Sequence, residues 1–336
     1  MTTLHLAINF QSCGVLRAKM RPGDRVISLL YEIVGRPLPT EAEEKDFFSS
    51  GNLAATTPEL VHWAPPLYEK SGREIKNTLD LEEIAENNED IEIYLESTPN
   101  SILKTAQCTA FLLRNPRFRA RLTLNLLHIS PENSEMVEIE RVSVDEKKSV
   151  LLRELWAAIR SKNPVPLYQM LSVAEEIHEI FEKNIRKILE DFPSVENGLS
   201  RTEAVILSLI EKGYCTHRTL FAALHNRRDA LPTDYWLIGS IIASFGNCHD
   251  KILDGVPGGQ FNLSMHDDRA AYTTWMNGEW KLTETGRSII EGKIDLSACH
   301  EINRWVGGVH LTNDALWRWD ARSEKLLSPI DWQPKQ

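Results

Sequence analysis

The stretch that decides the fold of the last third of the chain is Ser200-Arg201-Thr202-Glu203-Ala204-Val205-Ile206-Leu207-Ser208-Leu209-Ile210-Glu211-Lys212-Gly213. Its first four residues form a capping box, in which the Ser200 side chain accepts from the amide of Glu203 and the glutamate reaches back. Apolar residues follow at three- and four-residue steps, which is the spacing of a buried helix face. Since Gly213 favours a helix end, the stretch predicts an amphipathic helix.

Three more helices are expected in the same part of the chain. The apolar spacing predicts a second helix over residues 216–226 and a third that begins after Pro232. A closing helix is predicted over residues 283–291, and Gly292 is the expected residue after its end.

A β-hairpin is expected between the third helix and the closing one. The dipeptide Asn277-Gly278 is a strong hairpin signal because both residues tolerate positive φ. In that hairpin Trp275 would face Trp280 across the strands. The pattern therefore predicts an α+β winged helix-turn-helix domain over residues 199–292 and a C-terminal strap over residues 293–336.

The beginning of the chain has the pattern of an open sheet with helices. Apolar and alternating runs predict strands and helices in turn, which favours an α/β domain with a mostly parallel sheet over residues 1–142. Two amphipathic helices, residues 145–160 and 172–192, then form a helical connector over residues 143–198. The predicted strands are residues 4–10, 26–30, 91–96, 122–129 and 137–142, and the predicted helices are residues 15–20 and 102–113.

Composition restricts the class of protein. The chain has 336 residues, of which 42% are hydrophobic and 26% charged, and these are values of a globular protein. No apolar run approaches the ~20 residues that cross a bilayer, and the first residues do not resemble a secretion signal. The five cysteines are widely spaced and odd in number, which favours reduced thiols. We therefore expect a soluble, cytoplasmic protein.

The last part of the chain resembles an uncharacterised bacterial family catalogued as domain of unknown function 1835. The resemblance is carried by residues 282–287 (Leu-Thr-Glu-Thr-Gly-Arg), 303–311 (Asn-Arg-Trp-Val-Gly-Gly-Val-His-Leu) and 317–320 (Trp-Arg-Trp-Asp). Residues 197–203, 4–16 and 24–39 also resemble this family, so the similarity extends over most of the chain. It implies an N-terminal α/β domain followed by a winged helix.

The N-terminal part departs from the polar pattern that the resemblance implies. The family has a Gly-Asp-Ser turn after its first strand, where this chain has Asn9-Phe10-Gln11. It has Glu-His-Asp at the end of a later strand, where this chain keeps Glu96 but has Ser97 and Thr98. If the family binds a ligand at the carboxyl ends of its strands, this chain has lost most of that site.

No catalytic or metal signature stands out in the sequence. The turn after the first strand has one glycine, which is too few for a phosphate cradle. The triplets Cys248-His249-Asp250, His266-Asp267-Asp268 and Cys299-His300-Glu301 lack the spacing of a metal site. We expect no cofactor and no metal, and only Ser12 and Glu96 remain as weak candidates for a catalytic role.

Winged helices often bind DNA through the third helix, which presents basic or amide side chains to base edges. Here residues 233–245 contain no Lys or Arg, and the net charge of the chain is −10. The basic residues nearby are Arg218, Arg227 and Arg228, which could contact the phosphate backbone. Recognition of a protein is therefore the first prediction for this helix, and recognition of DNA the second.

The C-terminal strap is rich in tryptophan and arginine. Such residues form either a surface for a partner or ligand, or a core of buried indoles. The residues in question are Arg304, Trp305, His310, Trp317 and Arg318. The hypothesis is a non-catalytic binding or regulatory protein that forms homo-oligomers or binds a protein partner. The alternative is a hydrolase acting on a nucleotide or nucleic acid at the carboxyl ends of the N-terminal strands.

Overall fold

The computed structural model describes residues 2–8, 13–14, 16–17, 20–29, 33–49, 81–87, 89–129, 136–225, 235–262, 265 and 268–332. The chain divides into two compact units. Unit 1 contains Met1–Ile185 and Gly307–Val309, and unit 2 contains Arg186–Val306 and His310–Gln336. Among the described helices, none is both long enough and apolar enough to span a bilayer.

Unit 1 is built on a five-stranded mixed sheet, which confirms the expected α/β architecture. The strand order is β2-β1-β3-β4-β5, with β5 antiparallel to β4 and the other pairs parallel. One face of the sheet is apolar, because residues such as Leu6, Ile93 and Leu124 are fully buried there. The strands are β1 (Thr3–Ala7), β2 (Arg25–Ser28), β3 (Asp90–Glu96), β4 (Leu122–Ile129) and β5 (Met136–Ser143).

Helices flank this sheet and begin at polar caps. Thr98 caps α3, since its side chain accepts from the amide of Ser101, and Asp145 caps α4 by accepting from Lys148. Helix α3 follows β3 directly, so its first turn lies at the carboxyl edge of the sheet. The helices are α1 (Glu43–Ser49), α2 (Leu81–Glu86), α3 (Pro99–Leu112), α4 (Glu146–Arg160), α5 (Val165–Gln169) and α6 (Glu179–Leu189). Residues 13–14 and 16–17 are also helical, and residues 116–118, 170–172 and 174–176 form 3-10 turns.

Helix α6 begins later than the predicted range of 172–192. The chain forms the 3-10 turn Ala174–Glu176 first, and regular helix starts at Glu179. The His178 ring accepts from the amide of Ile180 (3.3 Å) and so satisfies one amide of the first turn. A histidine in this capping role is not part of the usual sequence signal for a helix start.

Among its described residues, unit 2 consists mainly of short helices with three two-stranded sheets, β6–β7, β8–β9 and β10–β11. The predicted capping box of α7 is present in full, with both Ser200 and Glu203 making their expected bonds. The elements are α7 (Arg201–Glu211), α8 (His217–His225), α9 (Tyr235–Asn247), β6 (Leu253–Asp254), α10 (Arg269–Met276), β7 (Lys281–Leu282), α11 (Glu284–Ile290), α12 (Leu296–Cys299), β8 (Asn303–Val306), β9 (Val309–Thr312), β10 (Arg318–Asp320) and β11 (Lys325–Leu327).

The predicted hairpin around Asn277-Gly278 is wrong. The preceding residues form helix α10, which Asp268 caps by accepting from the amides of Ala270 and Ala271. The dipeptide ends that helix, and the partner of β7 is β6. Trp275 and Trp280 do contact each other, with ring centroids 6.1 Å apart, but from a helix and a loop. Burial of Trp275 in the core decides between two conformations that the dipeptide itself allows.

The segment Leu282–Arg287 forms a helix start under close packing. The Thr283 hydroxyl accepts from the amide of Gly286 (3.0 Å) and donates to the carbonyl oxygen of Lys251 (2.6 Å). A Cβ atom on Gly286 would lie 2.5 Å from the Ile252 carbonyl oxygen, so only glycine fits at this position. The threonine and the glycine in this segment therefore have a structural role.

Candidate functional site

The carboxyl ends of β1, β2 and β3 meet at one edge of the sheet in unit 1. Lys104 of α3 is buried there, and its Nζ donates to the carbonyl oxygens of Ile8 and Leu29, at 3.4 Å each. These carbonyl groups directly follow β1 and β2. Open parallel sheets bind ligands at this edge, where the strand order reverses between the first and third strands. The lysine places a positive charge at that point.

Glu96, the last residue of β3, lies at the same edge. Burial raises the pKa of its carboxyl group to about 7, although the charge of Lys104 partly opposes the shift. The amide of Glu96 donates to the Ser101 hydroxyl (3.4 Å). A carboxyl group that titrates near neutral pH is suited to proton transfer. The sequence indicated Glu96 as a candidate catalytic residue. Ser12, the other candidate, lies outside the described residues.

Ser97 and Thr98, which replace the His-Asp of the family pattern, have structural contacts. Ser97 Oγ accepts from Asn184 Nδ2 (3.2 Å), and Thr98 is the cap of α3. Both hydroxyl groups therefore help to hold the turn after β3 in place.

A polar cluster on the other face of the sheet was missed in the sequence. His5 lies beside Glu92, with 3.5 Å between Nδ1 and the carboxylate, and beside Asp24, 3.5 Å from Nε2. Tyr94 donates to Glu92, and so do Asn125 (3.4 Å) and Arg141 (2.5 Å). The available signal was the alternation of polar and apolar residues along the strands, which places these residues on one face.

The pKa shifts in this cluster indicate an ion-pair network. Burial disfavours the charged form of His5, but hydrogen bonds to Glu92 and Asp24 outweigh it and raise the histidine pKa. The hydrogen bond with His5, followed by those from Tyr94 and Arg141, lowers the pKa of Glu92 to about 2 despite burial. Because the Glu92 carboxylate accepts bonds from several donors, we interpret the cluster as structural.

In unit 2, the exposed face of α9 is uncharged. Ser240, Ser244 and Asn247 are exposed, and Leu237 and Ile241 beside them are partly exposed. Arg218, at the start of α8, is also exposed. The other two arginines of the predicted phosphate-contacting set, Arg227 and Arg228, lie outside the described residues.

Aromatic side chains around His217 fill the core beneath α9. His217 is fully buried, its Nδ1 accepts from Trp275 Nε1 (2.8 Å), and its ring centroid lies 4.2 Å from that of Tyr235. Burial lowers the pKa of His217 to about 4. The ring is therefore neutral at pH 7, and the accepting Nδ1 places the proton on Nε2.

The candidate residues of the C-terminal strap divide into buried and accessible ones. Arg318 is fully buried, so it is not part of an accessible surface. Arg304 is largely buried and forms an ion pair with Glu203 of the capping box. Trp317 is partly exposed. Trp305 and His310 are stacked with parallel rings, and His310 is exposed.

Within the part of the chain that the structure describes, no group of three or more His, Cys, Asp or Glu side chains could hold a metal ion. His266 and Asp267 of the triplet His266-Asp267-Asp268 lie outside the described residues. No family model matches the chain, and no curated protein matches it. The resemblance to domain of unknown function 1835 therefore stays a prediction.

Proposed function

We propose that the protein is a non-catalytic binding protein and that residues 199–292 form a winged helix that recognises a partner protein. The order of elements supports this assignment: α7, α8 and α9 are followed by the antiparallel pair β6–β7 and by α11. The loop between α7 and α8 is hydrogen-bonded to the residue before β7, because the amide of Trp280 donates to the carbonyl oxygen of Cys215 (2.8 Å). Helix α10 is then an insertion between the two strands of the wing.

The observation that carries the proposal is the exposed face of α9. In a winged helix, this third helix is the one that enters the major groove of DNA. Base recognition uses Arg, Lys, Asn or Gln side chains, and contact with phosphates uses positive charge. Helix α9 has no charged residue, and its exposed side chains are two hydroxyls and Asn247, whose amide donates to the carbonyl oxygen of Gly259 (2.8 Å). Leu237 and Ile241 lie beside them and are partly exposed. Such a face suits a protein surface better than DNA.

Site-specific photo-crosslinking in cells tests this proposal. A photoreactive amino acid at Ser240 or Ser244 should give discrete protein adducts, and the same residue at Arg287 of α11 should not. Leu237→Glu should abolish the adducts, because a buried charge disfavours the complex. Adducts to DNA, or identical adducts at Arg287, would contradict the proposal.

A binding assay with duplex DNA tests the second prediction for this helix, which is recognition of DNA. We expect only weak, non-specific affinity that disappears at physiological salt, and no effect of Arg218→Ala on specificity. Tight binding that depends on DNA sequence at that salt concentration would instead identify α9 as a DNA-reading helix.

One observation supports the alternative function, a hydrolase acting on a nucleotide or nucleic acid. The carboxyl group of Glu96, with a pKa of about 7, lies at the ligand-binding edge of the sheet together with Lys104. Phosphate release from ATP and GTP and cleavage of RNA should be measured for the wild type, Glu96→Gln and the control Glu86→Gln on α2. Turnover that Glu96→Gln alone abolishes would establish this function, and absence of turnover in all three supports the binding protein.

A further inference from the structure

A cavity of about 560 Å³ lies in unit 2, bounded by the segment after α12 and by the end of the β8–β9 hairpin. Small-molecule sites typically measure about 300–1,000 Å³, so the volume suffices for a ligand group. The side chains that line the cavity include His300, Glu301, Asn303, His310 and Asp314.

His310, which lines the cavity, is stacked on the neighbouring indole of Trp305. The rings of Trp305 and His310 are stacked, with centroids 4.5 Å apart and planes 9° from parallel. His310 Nε2 donates to Asn303 Oδ1 (2.7 Å), which fixes the imidazole in its plane. Because Trp305 covers one face of His310 while His310 itself is exposed, the other face can receive a planar group.

Side-chain hydrogen bonds from Asn313 hold the rim of the cavity together. The Asn313 side chain donates to the carbonyl oxygens of Ser297 (2.9 Å) and His300 (3.2 Å), and it accepts from the amide of Ile302 (2.7 Å). These three bonds connect the turn after β9 to α12 and to the segment that follows it. A preformed rim lowers the entropy that a ligand loses on binding.

The charge of the cavity is negative. Glu301 and Asp314 are exposed carboxylates on its wall, and none of the described lining residues is a lysine or arginine. Burial lowers the pKa of His300, so this histidine adds no positive charge at neutral pH. A cation is therefore favoured over an anion.

We propose that this cavity binds the guanidinium group of an arginine side chain on a partner peptide. A guanidinium is planar, stacks on aromatic faces and donates to carboxylates, which matches His310 together with Glu301 and Asp314. A nucleobase could stack on the same ring, but the phosphate of a nucleotide would be repelled by the two carboxylates. The site is separate from the exposed face of α9 and does not depend on its role.

Titration of the full chain with three short peptides and, separately, with AMP tests the ligand chemistry. The peptides are acetyl-Gly-Arg-Gly-amide and its lysine and citrulline counterparts, and binding is followed by NMR signals of Trp305 and His310. We expect saturable binding of the arginine peptide and about two- to fivefold weaker binding of the citrulline peptide, which has the same shape without charge. Affinity for the citrulline or lysine peptide equal to that for the arginine peptide, tighter binding of AMP, or no saturation would overturn the proposal.

Variants locate the site. Glu301→Gln and Asp314→Asn should each weaken binding of the arginine peptide about two- to fivefold, since each removes one exposed charge. Glu211→Gln, on the exposed end of α7, removes one charge elsewhere in unit 2 and should leave affinity unchanged. Leu237→Glu on α9 should also leave it unchanged, which separates this site from the proposed winged-helix surface. Affinity insensitive to both cavity substitutions would overturn the assignment.

Discussion

Arg318 and Asp295 form a two-pronged salt bridge inside unit 2, with 2.8 Å between Nη1 and Oδ2 and 2.9 Å between Nη2 and Oδ1. The arginine also donates to the Ser194 carbonyl oxygen (2.9 Å) and the Ser297 hydroxyl (3.1 Å), and Trp332 covers its guanidinium at 3.6 Å. Burial opposes ionisation of Asp295, but the bonds from Arg318 and Ser297 still lower its pKa. The pair therefore joins β10 to the start of α12.

Removing Arg318 should destabilise unit 2 strongly. Arg318→Ala leaves the Asp295 carboxylate without its positively charged partner, and breaking a buried ion pair in this way costs about 3–5 kcal/mol. Arg318→Lys should recover only part of this loss, because lysine cannot make both bonds at once. The exposed pair Arg322–Glu196 provides the control, and Arg322→Ala should have little effect on unfolding followed by tryptophan fluorescence. Equal unfolding midpoints for Arg318→Ala and the wild type would contradict this expectation.

His217 should make unit 2 sensitive to acid. Its folded-state pKa of about 4 lies below the ordinary value of 6.5, so its contribution to stability is complete above pH 6.5 and is lost as pH falls through 4. His217→Asn keeps an acceptor for Trp275 but does not titrate, and should flatten this part of the stability profile. His249→Asn, at an exposed position, should leave the profile unchanged. A profile that is identical in His217→Asn and the wild type would show that another group causes the acid sensitivity.

Glu96 should have the opposite pH dependence in unit 1. Its folded-state pKa of about 7 lies above the ordinary value of 4.5, so stability is complete below pH 4.5 and is lost as pH rises through 7. Glu96→Gln should therefore stabilise unit 1 at pH 8 by up to about 3 kcal/mol, at 1.36 kcal/mol per pKa unit, and not at pH 4.5. Calorimetry at both pH values measures the difference. Stabilisation of the same size at both values would argue against a shifted carboxyl group.

Gly286 should not tolerate a side chain. A Cβ atom would lie 2.5 Å from the Ile252 carbonyl oxygen and 2.9 Å from Leu282 Cδ2, so Gly286→Ala forces backbone movement. We expect a loss of about 1–3 kcal/mol in the free energy of unfolding, as for other overpacked sites. Gly258→Ala is the matched control, because a Cβ there meets no atom within 4 Å. Thermal melts of the two variants that coincide would refute the packing argument.

Local signals account for the parts of the fold that could be predicted. The capping box needs only Ser200 and Glu203, three residues apart, and it forms as expected. The range predicted for β4, residues 122–129, is the observed one, because its apolar run has few alternatives to a buried strand. Glu96 could be identified as a candidate because it matches the glutamate that the family resemblance implies and because it ends a predicted strand, at the edge where parallel sheets bind ligands.

Tertiary structure decided the remaining features, because they depend on which side chains meet. Asn277-Gly278 suits both a hairpin and a helix end, and burial of Trp275 selects the helix. Arg318 and His310 lie eight residues apart in the same arginine- and tryptophan-rich tail. One is buried against Asp295 and the other is exposed beside a cavity, which no local pattern distinguishes. The sequence by itself determined helices, strands and their caps through short-range periodicity, whereas burial and pairing, which set charge and access, arise only from contacts between distant residues.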